Sequence, residues 1–205
     1  MSSLSQLQEI PPTKMILLVG PPGAGKSTFC QQVAVQSLAM DKPIIFVTTE
    51  YGPSEAEQAL RERGLREVEP GLLNLVNAYH QTVGLSVSDR PDTVHARCED
   101  LSTIDIAISK LNERMGRKGV LLVFDSLTSP YLFSGSEILR FMRITLSGFA
   151  ASGNAVLICI DEGCGKPEDL VAMMSLSQGV IKMETEDSRR VLNVVKHPIV
   201  EPGRV

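Results

Sequence analysis

The sequence predicts an α/β fold in which a largely parallel sheet lies between helix layers. Three observations carry that prediction. Short apolar runs alternate with segments of helical period through most of the chain. A glycine-rich loop, Gly20-Pro21-Pro22-Gly23-Ala24-Gly25-Lys26-Ser27-Thr28, separates the first run from the first helical segment. Acids end three of the apolar runs, at Glu50, Asp125 and Asp161-Glu162. Right-handed crossovers line up the C-terminal ends of parallel strands along one rim, so the loop and these acids are expected to converge there.

Met15-Ile16-Leu17-Leu18-Val19 is apolar throughout, as a strand buried on both faces requires. Phe29, Val33, Ala34, Ser37 and Leu38 then recur at helical spacing, and Pro43 after Asp41-Lys42 forbids continuation. Ile44 to Thr49 is the second strand. Ser54 followed by Glu57 forms a capping box, which predicts a helix from Ser54 to a stop at Gly64. Leu72 to Ala78 is a third strand, and residues 80–100, polar and without a clear period, read as a loop. Ile104, Ile108 and Leu111 mark one face of a helix from Ser102 to Arg114, which Gly119 separates from the strand Val120 to Ser126. A helix over about residues 136–151, a strand from Ala155 to Ile160 and a short helix over about residues 168–176 follow. Two last strands, near residues 179–184 and 190–196, flank the acidic turn Glu184-Thr185-Glu186-Asp187-Ser188 and read as an antiparallel hairpin.

Composition narrows the function classes. The 205 residues suit one domain, taken as residues 15–205 behind an N-terminal lead-in of residues 1–14. A net charge of −4 argues against a nucleic-acid-binding surface. No apolar run approaches the ~18 residues of a membrane span. Met1 to Lys14 lacks the basic-then-apolar pattern of a secretory signal, so a cytoplasmic location is expected. Of four cysteines, Cys30 and Cys159 fall in apolar segments and read as core, and Cys164 lies in a loop. His95 and Cys98 lack the second pair that a zinc site needs.

The loop fits the pattern G-x-x-x-x-G-K-S, the Walker A phosphate-binding motif. Its glycines let the main chain curl and turn N–H groups towards an anion, at a helix start that itself favours negative charge. Lys26 supplies a point charge for the β- and γ-phosphates of a nucleotide. Ser27 offers a hard oxygen to Mg²⁺, and Asp125, at the end of a buried strand, fits the Walker B acid that holds the ion through water. Glu50, ending the strand after the loop helix, is the candidate base for an attacking water if that strand lies beside the Asp125 strand. Asp161 and Glu162 are candidate γ-phosphate sensors.

Val19 to Phe29, then Phe46-Val47-Thr48-Thr49-Glu50, then Val123-Phe124-Asp125-Ser126 together resemble the RecA superfamily, and within it the KaiC-like archaeal and bacterial ATPases. The closing strands, with Val191-Leu192-Asn193-Val194-Val195-Lys196-His197, are similar to the C-terminal hairpin of that family. The resemblance implies a single RecA-like P-loop domain that takes ATP and Mg²⁺. By the same resemblance Glu50 is the catalytic glutamate, Asp125 the Walker B acid, and Lys196 a lysine supplied across a subunit interface to a neighbour's γ-phosphate. A homo-oligomer or a protein partner is the implied setting. Three departures stand out: Tyr51 where a second glutamate is usual, Pro198 where an arginine is usual, and Ser2 to Lys14 in place of a glycine-rich stretch with an Asp.

The resulting expectation is a slow Mg-dependent ATPase used as a nucleotide-dependent switch. The alternatives are a nucleotide-binding regulatory subunit that does not hydrolyse, and a recombination mediator that binds DNA. A P-loop small-molecule kinase would need an arginine-rich lid, and Arg189-Arg190 on a predicted strand does not make one.

Overall fold

A computed structural model describes residues 6–116, 118–186 and 189–205. Nine strands among these form one sheet: β1 (Met15–Gly20), β2 (Ile44–Thr48), β3 (Leu73–Asn77), β4 (Thr93–His95), β5 (Leu121–Asp125), β6 (Ala155–Asp161), β7 (Gly179–Glu186), β8 (Arg189–Lys196) and β9 (Gly203–Arg204). Their order is β4-β3-β2-β5-β6-β1-β7-β8-β9. Pairing is parallel from β4 through β7, and antiparallel from β7 to β9. This is the RecA-like architecture with the expected closing hairpin.

Helices cover both faces: α1 (Lys26–Leu38), α2 (Pro53–Glu62), α3 (Leu101–Met115), α4 (Thr128–Ser134), α5 (Glu137–Phe141), α6 (Ser147–Ala151) and α7 (Pro167–Leu176). A π-helical stretch, Met142–Leu146, joins α5 to α6 in one rod. The alternation of β1 explains its continuous apolar sequence. Met15, Leu17 and Val19 enter the core beneath α3 and the α5–α6 rod, while Ile16 and Leu18 enter the core beneath α1. All six β1 residues are buried.

Several local expectations need correction. The α2 cap lies at Gly52, whose N–H donates to Glu55 Oε2 at 2.8 Å, and Pro53 takes the first helical position. Glu57, expected in the capping box, pairs with Arg90 instead. The stretch read as a loop contains β4, three residues at the sheet edge and too short to show a period. α4 escaped notice because Pro130 sits in a segment of only seven residues, and proline is tolerated in a first helical turn. β9 is a further edge strand of two residues. The lead-in contributes to the core: Leu7 and Ile10 are buried against α1 and β1. Burying one such leucine is worth roughly 1.5–3 kcal/mol. The acidic turn falls partly on Asp187 and Ser188, which lie outside the described residues.

Strand order positions the candidate site. β2 lies beside β5 in parallel, with Thr48 opposite Asp125, so Glu50 and Asp125 emerge from neighbouring strand ends. β1 and β5 are separated by β6 alone. α1 crosses beneath β6 and packs on β5, which carries its first turn across to the Asp125 strand.

Candidate nucleotide site

The loop Gly20–Thr28 curls between β1 and α1, and Gly25 takes a left-handed φ of 95° at the start of the helix. A side chain there is disfavoured twice. The backbone conformation suits glycine, and a Cβ would stand 2.6 Å from the Arg190 guanidinium carbon. Gly20 is constrained differently: a Cβ would meet the Met183 carbonyl oxygen of β7 at 2.3 Å.

Lys26 is buried beneath the loop, 6% exposed. Its Nζ donates to the carbonyl oxygens of Gly20 and Pro21, both at 2.8 Å, and pairs with Asp161 Oδ1 at 2.6 Å. Ser27 Oγ donates to Asp125 Oδ1 at 2.8 Å. Asp125 is 1% exposed and accepts two further bonds, from Tyr51 Oη to Oδ2 at 2.6 Å and from Cys159 Sγ to Oδ1 at 3.2 Å. A buried carboxylate needs such donors to replace water.

Both neighbours keep their protons. Burial, then the charge and hydrogen bond of Asp125, push the Tyr51 phenol far above its usual pKa. A hydrogen bond with Cys30 and burial push the Cys159 thiol well up. Cys30, Cys159 and Asp125 thus form a compact cluster under the loop, with ligand atoms all within 4.8 Å of one another. Both thiols are core residues, as their apolar segments predicted.

Glu50 lives in another environment. It is exposed, and Ser129 Oγ of α4 donates to its Oε1 at 2.7 Å. Beside it, Thr49 Oγ1 donates to the Ser126 carbonyl at 2.8 Å and accepts from the Ser126 N–H at 2.9 Å, tying the β2 end to the β5 end. Glu50, Gly23, Gly25, Lys26, Ser27 and Thr28 line one cleft of about 500 Å³, with Asp161 and Arg190 on its walls. Asp125 lies under the floor, reached through Ser27.

The other expected residues separate. Glu162 turns from the cleft and approaches Lys182 Nζ at 3.5 Å. Lys196 ends β8 opposite Val180, which in turn faces Leu17 at mid-β1, so it lies towards the far end of the sheet from its own loop. Tyr51, Cys159 and Arg190 are the site residues that the sequence reading missed. Tyr51 was in view as the neighbour of Glu50, but nothing local showed that its ring turns back to Asp125. Arg190 reaches the loop only because the hairpin folds over it.

Known proteins are similar to this chain in sequence and in fold. A UPF0273 protein of Pyrococcus furiosus is 30% identical over 142 residues, 66% of this chain and 56% of that protein. A UPF0273 protein of Methanopyrus kandleri is 29% identical over 186 residues, 87% of this chain and 71% of that one. The chain spans little more than half the length of its Pyrococcus relatives, at 56% in each of two species. A crystal structure of a KaiC-like protein from Pyrococcus horikoshii superposes with a TM-score of 0.67 over 95% of this chain and 85% of that one. At 15% identity, that likeness shows the fold alone. The KaiC ATPase family model matches residues 3–198, and the chain belongs to the KaiC ATPase family.

Proposed function

We propose that the protein binds ATP with Mg²⁺ in the loop cleft, hydrolyses it slowly, and uses the nucleotide state as a switch. The observation that carries this reading is the direct bond between Ser27 and Asp125 beneath a loop that also buries Lys26. A hydroxyl and a carboxylate in contact are the hard oxygen donors that Mg²⁺ prefers. Ser27 and Asp125 are therefore the residues that would hold the ion, which supplies charge neutralisation to the phosphates when bound.

The chain's own groups have separable tasks. Loop N–H groups and Lys26 bind the phosphates, and the phosphate chain takes over from Asp161 as the partner of Lys26. Glu50 orients a water towards the γ-phosphate and accepts its proton, with Ser129 holding the carboxylate from the side. Glu50 is the one acid that the β2 end brings to the cleft, because residue 51 is a tyrosine, which bonds to Asp125. The missing second glutamate favours slow turnover and leaves the regulatory subunit as the second reading. Lys196 is proposed to act on the γ-phosphate held by a neighbouring chain.

Nucleotide binding and phosphate release by wild type, Lys26→Ala and Glu50→Gln, with and without single-stranded DNA, test this. The expected pattern is binding lost in Lys26→Ala and release lost in Glu50→Gln, with DNA inert. Binding without release in wild type selects the regulatory subunit, and stimulation by DNA selects the mediator.

A further inference from the structure

We infer that Arg190 is a phosphate-binding residue acting within its own chain, closing the loop cleft from the hairpin side. The inference rests on the nucleotide reading above and adds a residue to it.

The geometry is specific. The guanidinium lies against the open face of Gly25, with Cζ, Nε and Nη1 at 2.6, 2.7 and 2.8 Å from where a Cβ would stand. It therefore occupies the space a side chain would take at the fold of the loop, and it lines the same cleft as Lys26, Ser27 and Thr28. Its position is built in. β7 pairs with β1, and the Met183 carbonyl seats against Gly20. β8 then pairs with β7, with Arg190 opposite Thr185. The hairpin that carries Arg190 is thus anchored on the loop strand itself.

Charge supplies the second argument. Lys26 is held by two carbonyls and Asp161. Among the described residues Arg190 makes no ion pair, although it sits in a cleft that also holds Glu50 and Asp161. A planar fork of N–H donors suits phosphate oxygens, and a bond between two charged groups is stronger than one between neutral groups. Lys196, the cation that ends this strand, cannot share the task in one chain. Lys196 is six residues further along β8, roughly 20 Å at the rise of an extended strand.

The test measures binding of ATP and of inorganic tripolyphosphate, each with Mg²⁺, to wild type, Lys26→Ala, Arg190→Ala and Arg190→Lys. Arg190 is exposed, so thermal midpoints close to wild type should verify that its variants fold. Arg190→Ala is expected to weaken both ligands by the same factor, about 10-fold or more, with Arg190→Lys between it and wild type. Mixing Arg190→Ala with Lys26→Ala chains should not restore binding, since the arginine and the loop must belong to one chain. Unchanged affinity in Arg190→Ala, beside a clear loss in Lys26→Ala, overturns the inference and leaves the nucleotide reading standing. Loss of ATP affinity alone, with tripolyphosphate unaffected, overturns the phosphate contact in favour of a base contact. Restoration on mixing overturns action within the chain. Wild type that binds neither ligand overturns the nucleotide reading and this inference together.

Discussion

Asp125 and Glu50 leave neighbouring parallel strands on the same rim, yet the fold treats them in opposite ways. Asp125 is sealed under the loop with a hydroxyl, a phenol and a thiol donating to it. Glu50 stands in the open with one serine donor and a distant threonine. A sealed acid is part of the structure, and its geometry is set before any ligand arrives. An open acid can exchange water and protons, as a base must. On the proposed roles of the two acids, the rim separates positioning from chemistry over a single step between adjacent strands.

The strongest way to break that contrast is Asp125→Ala. It leaves three donors without an acceptor, so phosphate release should fall to background and the unfolding free energy should drop by about 3 kcal/mol or more. Release assays and denaturant titration check both effects. Glu50→Gln should cost release about 10²- to 10⁴-fold, with stability within about 0.5 kcal/mol of wild type. A large stability loss in Glu50→Gln would mean that the open acid is structural after all. Tyr51→Phe sharpens the comparison from the sealed side. It removes one bond to a charged acceptor, so a loss of roughly 1.5–3 kcal/mol should appear in denaturant titration, with nucleotide affinity measured without Mg²⁺ unchanged.

The smallest effect lies away from both acids and serves as their control. Burial lowers the His197 pKa, and its Nδ1 accepts from the Ile199 and Val200 N–H groups. The native state therefore prefers the neutral ring, and the unfolded chain takes up a proton first as pH falls. The stability that this ring contributes is fully present above its unfolded pKa of about 6.5 and is lost as pH falls through the lower folded value. Thermal midpoints from about pH 7.5 to about 5.5 should fall more steeply for wild type than for His197→Gln.

The parts of this molecule that were legible in the sequence are those with a strong local signature. β1, the loop and α1 follow from an apolar run, a phosphate motif and a helical stripe. Ile104, Ile108 and Leu111 read correctly as the buried face of α3. Asp125 and Glu50 were visible because each ends an apolar run. The illegible parts depend on distant pairing or on very short elements. β4 and β9, of three and two residues, carry too few side chains to show a pattern. The α2 cap moved because Glu55, like Glu57, can serve a helix start, and Arg90 takes Glu57 from another segment. Tyr51 turning to Asp125 and Arg190 covering Gly25 are tertiary facts. Each joins residues far apart in the chain, and neither residue type announces its partner.

The ion pair between Lys26 and Asp161 bears on selectivity. A vacant phosphate loop with a bare ammonium would attract any small anion in solution. Here the protein supplies its own stand-in, and a newcomer has to outcompete a carboxylate already in place. On the proposed nucleotide reading, a polyphosphate displaces it by meeting several N–H groups at once. On that reading the resident aspartate sets the charge that an incoming anion must exceed to reach Lys26.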